Sequence, residues 1–194
     1  MTYDPARHHR RSIRLREYDY AQAGAYFVTL VCKDREPLFE DDRLRDIVEE
    51  AWLWLRDRHQ HVDLDEYVVM PNHLHGVIVI RDVRRGGSRT APTRRPQAIK
   101  PLGRLVGAFK TVSTRRINAI RGMLGIPAWQ RNYYEHIIRD EEELNRIRQY
   151  VIENPLHWEQ DPENPMVVRA GPRARPNAGA PLGDHRGPPL PGAP

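Results

Sequence analysis

The stretch VVMPNHLHGVIVI, residues 68–80, decides the fold. Pro71 and Asn72 are typical of a turn, and the residues on both sides are rich in Val and Ile, as strands are. The pattern predicts an antiparallel hairpin with strands over 62–70 and 73–80. Because side chains alternate between the two faces of a strand, His73 and His75 share one face. Their imidazole rings can then bind one cation together, although two histidines alone also fit an ordinary sheet surface.

The remaining elements are predicted outward from this hairpin. Aromatic and β-branched residues indicate a first strand over 26–32 and a short strand over 134–138. Apolar residues at three- and four-residue spacing indicate helices over 41–58 and 102–121. A last helix is expected over 140–154, capped by Asp140. Its predicted core face consists of Leu144, Ile147, Val151 and Ile152.

The order of these elements predicts the fold class. Strand, helix, strand, strand, helix, strand is the βαββαβ order of a ferredoxin-like fold, an α+β architecture. We therefore expect an antiparallel four-stranded sheet with helices on one face. The last helix is an addition to that plan and must dock somewhere on the domain.

The segments outside this pattern define the expected domain organisation of the 194-residue chain. We expect a basic N-terminal arm over 1–17, one domain over 18–160 and a disordered tail rich in Pro and Gly over 161–194. Within the domain, 81–101 combines Gly and Pro with seven Arg or Lys and one Asp, which predicts a flexible basic loop.

Composition limits the possible functions. The net charge of +5 favours a polyanionic partner such as nucleic acid, although many basic proteins bind neither nucleic acid nor membrane. With one cysteine, Cys32, the chain can form no internal disulfide and no cysteine-built zinc site. The apolar runs are too short for a membrane span, and the N-terminus does not resemble a secretory signal. We expect a cytoplasmic, nucleoid-associated protein with no membrane partner.

The last helix offers a candidate third metal ligand and a candidate reacting group, which the two histidines alone do not provide. Tyr150 and Asn154 are four residues apart and therefore lie on one helix face, one turn apart. An amide oxygen at Asn154 can bind a hard metal ion, and a phenol at Tyr150 can act as a nucleophile. The alternative for Tyr150 is a packing role, as for any of the eight tyrosines.

Three segments resemble a known family: MPNHLH (70–75), WQRNYYEHIIRDEEEL (129–144) and IRQYVIENP (147–155). Together they resemble the REP-associated tyrosine transposases, which are single-tyrosine transposases with a His-apolar-His (HUH) motif. The resemblance covers roughly residues 15–160. Insertion-sequence relatives have a glutamine where this chain has Asn154, and the tail has no counterpart.

This resemblance implies a function and a site. It implies the ferredoxin-like fold, a divalent cation, Mg²⁺ or Mn²⁺, bound by His73, His75 and Asn154, and Tyr150 as the nucleophile. The implied partner is single-stranded DNA with hairpin or palindromic repeats. The phenolate would attack phosphorus to form a 5′-phosphotyrosine and free a 3′-OH, and the reverse attack would rejoin strands without ATP. Both a monomer and a homodimer are consistent with the resemblance.

Further residues are candidates for contacts around this site. His136 is placed on the fourth strand, either beside the metal or the scissile phosphate or as a structural hydrogen-bond partner near the site. A DNA-binding face is predicted from cationic and aromatic side chains, each of which can equally serve packing or a solvated surface. These are Lys110, Arg115, Arg116, Trp129 and Arg131, with Tyr133 and Tyr134 as additional stacking candidates.

Two other functions fit parts of the pattern. A ferredoxin-like sheet with a basic surface is also the plan of non-catalytic RNA and DNA binders, which use exposed aromatics on central strands. Here only Tyr26 and Phe27 could fill that role. A metal-dependent hydrolase would combine the histidines with a carboxylate such as Asp63 or Glu66, and it would not need Tyr150.

Overall fold

A computed structural model describes residues 19–82, 99–161 and 164. These residues form one four-stranded antiparallel sheet in the order β2-β3-β1-β4. The elements are β1 (Gly24–Val31), α1 (Asp42–Arg58), β2 (Val62–Met70), β3 (His73–Ile80), α2 (Leu102–Arg121), β4 (Tyr134–Ile138) and α3 (Glu141–Glu153), followed by a 3-10 helix (Asn154–Gln160). The predicted α+β, ferredoxin-like βαββαβ plan is confirmed.

Helices α1 and α2 pack together on one face of the sheet. This face contains the main core, in which Trp52 of α1 and Phe109 of α2 are fully buried with their rings edge to face. Trp52 lies directly on Gly76 of β3, where an added Cβ would be 2.5 Å from the indole ring. Gly76 is therefore required by the close approach of the helix to the sheet.

Helix α3 covers the opposite face and forms a second, smaller core. Ile147 and Val151 pack there on Phe27 and Val77. Ile152, expected to belong to this core, is 57% exposed. One residue along a helix is about 100° around its axis, so the position next to the buried Val151 turns towards solvent.

Two polar contacts fasten α3 to the sheet. The Arg148 guanidinium donates two hydrogen bonds to Asp65 of β2, from Nε to Oδ1 at 2.8 Å and from Nη2 to Oδ2 at 2.7 Å. At the start of α3, Asp140 accepts a hydrogen bond from the backbone N–H of Glu143, as its predicted capping role requires. These contacts fix the direction of the helix that carries Tyr150.

Several predicted segments lie outside the described residues. These are the basic arm over 1–17, the interior of the basic loop and nearly all of the Pro- and Gly-rich tail. The predicted domain boundary lies at residue 160. Asp161 and Asn164, which the prediction assigns to the tail, are buried in the structure. Among the described helices, none is long and apolar enough to cross a membrane.

Candidate metal and nucleophile site

The two histidines of β3 lie side by side beneath α3. Both side chains are fully buried, and their Nε2 atoms are 3.0 Å apart. The rings meet edge to face with centroids 4.5 Å apart. The prediction that His73 and His75 share a face and point to one place is confirmed by this geometry.

Each histidine is oriented by a hydrogen bond to its other ring nitrogen. Asn72 uses its Nδ2 to donate to the Arg35 carbonyl, so its Oδ1 faces Nδ1 of His73 at 2.8 Å and can only accept. On β1, Thr29 is paired with His75 across the strands, and its hydroxyl lies 2.9 Å from Nδ1 of that ring. Where Nδ1 carries the ring proton, Nε2 keeps a lone pair that can bind a metal ion.

Burial keeps both imidazoles neutral. Desolvation, with a smaller contribution from the Arg35 charge, lowers the pKa of His73 to about 3. Desolvation also lowers the pKa of His75 well below its usual value, with His73 as the second cause. Near neutral pH the site therefore presents two uncharged nitrogen ligands, which is the form that binds a metal ion.

Tyr150 reaches the same point from α3. Its hydroxyl lies 3.3 Å from Nε2 of His75, and its ring packs edge to face on His75 and Phe27. The helix position predicted from sequence therefore brings the phenol to the histidines. A cation bound by Nε2 of His75 would therefore lie close to this oxygen.

Asn154 follows one helical turn later, at the end of α3. The side chain is buried, and its Oδ1 has no hydrogen-bond partner among the residues that the structure describes. A buried acceptor without a partner costs about 1–3 kcal/mol, so an unfilled amide oxygen points to a ligand. An amide oxygen of this kind suits a hard divalent cation.

Asp161 joins the group from the segment after α3. Its Oδ2 lies 3.8 Å from Nε2 of His73, and one ligand atom from each of Asp161, His73 and His75 lies within 4.8 Å of the others. The sequence pattern does not predict this carboxylate, because it follows a 3-10 helix in which no apolar periodicity marks a buried face. It also lies in the segment predicted to be a disordered tail.

The carboxylates considered for a hydrolase lie elsewhere. Asp63 is paired with Arg81 at the end of β3, and Glu66 is exposed on β2. The carboxylate beside the histidines is therefore neither of these.

His136 is engaged away from the histidine pair. Its Nε2 lies 2.7 Å from Oε1 of Glu143, whose other oxygen accepts the backbone N–H of Arg139. These bonds join β4 to the start of α3. The structural alternative for His136 is the one that the geometry favours.

Two of the predicted DNA-contacting side chains have structural roles. Trp129 is buried, packs on Phe39 and Phe109, and donates its Nε1–H to the Ser113 hydroxyl, so its ring is not available for base stacking. Lys110 donates from Nζ to the carbonyls of Gln130 at 2.8 Å and Asn132 at 3.0 Å. Burial lowers its pKa to about 8.

The three arginines differ in their surroundings. Arg116 forms an ion pair with Glu50 of α1, which ties the two helices together. Arg115 and Arg131 are exposed, so both remain candidates for phosphate contacts. The prediction of a basic face is thus reduced to these two positions among the five residues first proposed.

Two proteins of Haemophilus influenzae are similar in sequence to this chain, while no family model matches it. An uncharacterized protein of Haemophilus influenzae is 39% identical over 173 residues, which span 82% of this chain and 95% of that protein. A second Haemophilus influenzae protein, described as "Putative REP-associated tyrosine transposase", is 23% identical over 141 residues, 71% of this chain and 73% of that protein.

A solved structure of similar fold is a REP-associated tyrosine transposase bound to a REP hairpin, with a TM-score of 0.53 and 16% sequence identity. The match covers 75% of this chain and 73% of that one.

Proposed function

We propose that the chain is a REP-associated tyrosine transposase-like protein, which cleaves and rejoins single-stranded hairpin DNA through Tyr150. The observation that carries the proposal is the meeting of the Tyr150 hydroxyl with the histidine pair, at 3.3 Å from Nε2 of His75. A tyrosine needed only for packing would not require its oxygen at this position.

His73, His75 and Asn154 are the proposed ligands of a divalent cation, Mg²⁺ or Mn²⁺. The two Nε2 lone pairs and the unfilled Oδ1 of Asn154 support this assignment. When bound, the ion would polarise the scissile phosphate and offset the charge that develops on its oxygens. Asn72 and Thr29 hold the imidazoles in the orientation that this role requires.

Tyr150 would perform the covalent step. Its oxygen, after losing the phenolic proton, attacks phosphorus; an O–P bond forms, and the bond from phosphorus to the 3′ oxygen breaks. The 3′ oxygen leaves and takes up a proton. The 5′-phosphotyrosine retains the phosphodiester energy, so attack by another 3′-OH rejoins DNA and releases the tyrosine.

The proposed substrate is DNA with hairpin repeats. The solved relative was bound to a REP hairpin, and the net charge of +5 here suits a phosphate backbone. Exposed Arg115 and Arg131 are the proposed backbone contacts. The fully buried Tyr26 and Phe27 disfavour the RNA-binder alternative, because that mode needs them exposed.

A covalent-adduct assay tests the proposal. Wild type and Tyr150→Phe are incubated with Mn²⁺ and labelled single-stranded hairpin DNA from beside the gene, then run on a denaturing gel. We expect a protease-sensitive shifted band with wild type and none with the variant, while hairpin binding is unchanged. The control Tyr67→Phe, at a half-buried tyrosine that packs on Trp52 in the main core, should form the adduct normally. Hairpin binding without any adduct would favour the non-catalytic binding module instead.

A further inference from the structure

We propose that Asp161 is a metal ligand, which completes with His73 and His75 a two-histidine, one-carboxylate site that prefers Mn²⁺ to Mg²⁺. The inference rests on the proposed function, since it concerns the same cation. It goes beyond that proposal because it adds a ligand from outside the family motifs and assigns the class of metal. Neither the His-x-His pair nor the Tyr-x-x-x-Asn spacing contains this carboxylate.

The distances fit one octahedral ion. Ligand atoms about 2.1 Å from such an ion stand about 3 Å apart when adjacent and about 4.2 Å apart when opposite. The two Nε2 atoms are 3.0 Å apart, and Oδ2 of Asp161 is 3.8 Å from Nε2 of His73. The three atoms therefore need only sub-ångström adjustment to share a cation.

The chain holds Asp161 in place through its own backbone turn. The Trp158 carbonyl accepts the backbone N–H of Asp161 at 3.2 Å and Nδ2 of Asn164 at 2.9 Å. The Asp161 carbonyl accepts the backbone N–H of Asn164 at 2.9 Å. The Trp158 ring packs near His73, with centroids 5.9 Å apart. These bonds fix the backbone from which the carboxylate extends.

Electrostatics favour a cation at this point. Asp161 is 5% exposed, and a cation close to a buried carboxylate offsets part of the cost of its burial. Neutral imidazoles that carry the ring proton on Nδ1, facing Asn72 and Thr29, offer their Nε2 lone pairs beside the Asp161 oxygen. A divalent ion would be attracted to all three groups.

The ligand set selects the class of metal. Imidazole suits transition metals, whereas Mg²⁺ is usually bound through carboxylates, phosphates and water. Two imidazoles and one carboxylate form the set typical of Fe²⁺ and leave further positions open, and Mn²⁺ accepts both donor types. Asn154 can occupy one of these positions, and a phosphate oxygen another.

Direct binding of Mn²⁺ to the full chain tests the inference. Free Mn²⁺ is followed by electron paramagnetic resonance in titrations of wild type, Asp161→Asn and a matched control, Glu159→Gln, which removes one exposed charge from the same segment. We expect Asp161→Asn to weaken Mn²⁺ binding by about tenfold or more and the control to leave it unchanged. Mg²⁺ should compete for the wild-type site only in large excess.

Two outcomes overturn the inference and are distinguishable from failure of the proposed function. Wild-type affinity in Asp161→Asn, with His73→Ala unable to bind Mn²⁺, removes Asp161 as a ligand and keeps the histidine site. Wild-type affinity in His73→Ala removes the metal site of the proposed function as well. Thermal melts without metal show whether Asp161→Asn is folded. This isosteric variant should melt within a few degrees of wild type. A tenfold loss of Mn²⁺ affinity in the folded variant supports the inference.

Discussion

At the residue scale, Thr29 acts on the proposed metal through His75. It lies opposite His75 on the neighbouring strand, and its hydroxyl is 2.9 Å from Nδ1. Thr29→Val keeps the shape of the side chain but removes the hydrogen-bond partner, so the ring loses its fixed tautomer. We expect Mn²⁺ affinity to fall by about tenfold, measured by isothermal titration calorimetry.

A second threonine provides the matched control. Thr111 lies on the exposed side of α2, and its hydroxyl donates to the Gly107 carbonyl within its own helix. Thr111→Val should therefore bind Mn²⁺ as wild type does. Equal affinity in both variants would show that the Thr29 hydroxyl does not orient His75.

His59 gives the stability of the protein a pH dependence away from the candidate site. It is buried, and neither ring nitrogen has a hydrogen-bond partner among the described residues. Desolvation, followed by the charges of Lys100, His61 and Arg58, lowers its pKa from 6.5 to about 4. Below pH 6.5 the unfolded chain thus binds the proton more readily than the folded protein, and the free energy of unfolding falls as pH falls towards 4.

Replacing this imidazole tests that linkage. His59→Phe keeps a ring against Trp54 and removes the titrating group. We expect the variant to be as stable as wild type at pH 7.5 and to lose less stability between pH 6 and 4.5, by up to about 1.4 kcal/mol per pH unit. Urea denaturation at several pH values measures the slope, and parallel curves for the two proteins would contradict the assignment.

At the element scale, substituting alanine at two glycines is expected to change the free energy of unfolding in opposite directions. Gly76 lies under the ring of Trp52, where an added Cβ would be 2.5 Å from a side chain that is fully buried in the core. Gly76→Ala should therefore lower the free energy of unfolding by about 1–3 kcal/mol, because neither α1 nor β3 can move away freely. The expected loss is measured by urea denaturation.

Gly107 is the matched comparison within α2. No atom lies within 4 Å of the Cβ that alanine would add there. Alanine is favoured over glycine inside a helix, so Gly107→Ala should raise the free energy of unfolding by about 0.5–1 kcal/mol. A gain at both glycines would mean that α1 lies farther from the sheet than the structure shows.

The elements themselves were largely predictable because their signals are local. The hairpin, α2 and β4 follow from Pro71-Asn72, from apolar spacing and from β-branched runs, and their predicted bounds coincide with the observed ones. Ile152 was misassigned because helical spacing defines the width of an apolar stripe poorly. Its exposure depends on how α3 tilts over the sheet, which a pattern does not contain.

At the scale of the whole molecule, the site residues that lie together on a single strand or helix were predictable from the sequence. Those that tertiary packing brings in from distant parts of the chain were not. His73 and His75 follow from strand alternation, and Tyr150 with Asn154 from helical spacing, with the family resemblance assigning their roles. Asp161 and the orienting Thr29 are brought in by tertiary packing. Trp129 shows the reverse, since an aromatic expected at the surface fills the core between Phe39 and Phe109.

The described site is built from the sheet and α3 of a single chain. Arg148 of α3 binds Asp65 of β2, and Tyr150 packs on Phe27 and His75, all within a single chain. If α3 were exchanged between two copies, a mixture of Tyr150→Phe and His73→Ala would assemble one intact site: the helix of the second variant would dock on the sheet of the first. With α3 docked on its own sheet, no such site can form.

We therefore expect the mixture to yield no covalent DNA adduct. The two variants carry tags of different size and are co-refolded, so that chains can exchange helices, before Mn²⁺ and labelled hairpin DNA are added. A co-refolded mixture of wild type with either variant serves as the control and should give an adduct on the wild-type chain. An adduct on the His73→Ala chain would mean that its tyrosine reacted in a site that contains the histidines of the other chain. The contacts of Arg148 with Asp65 would then form between subunits.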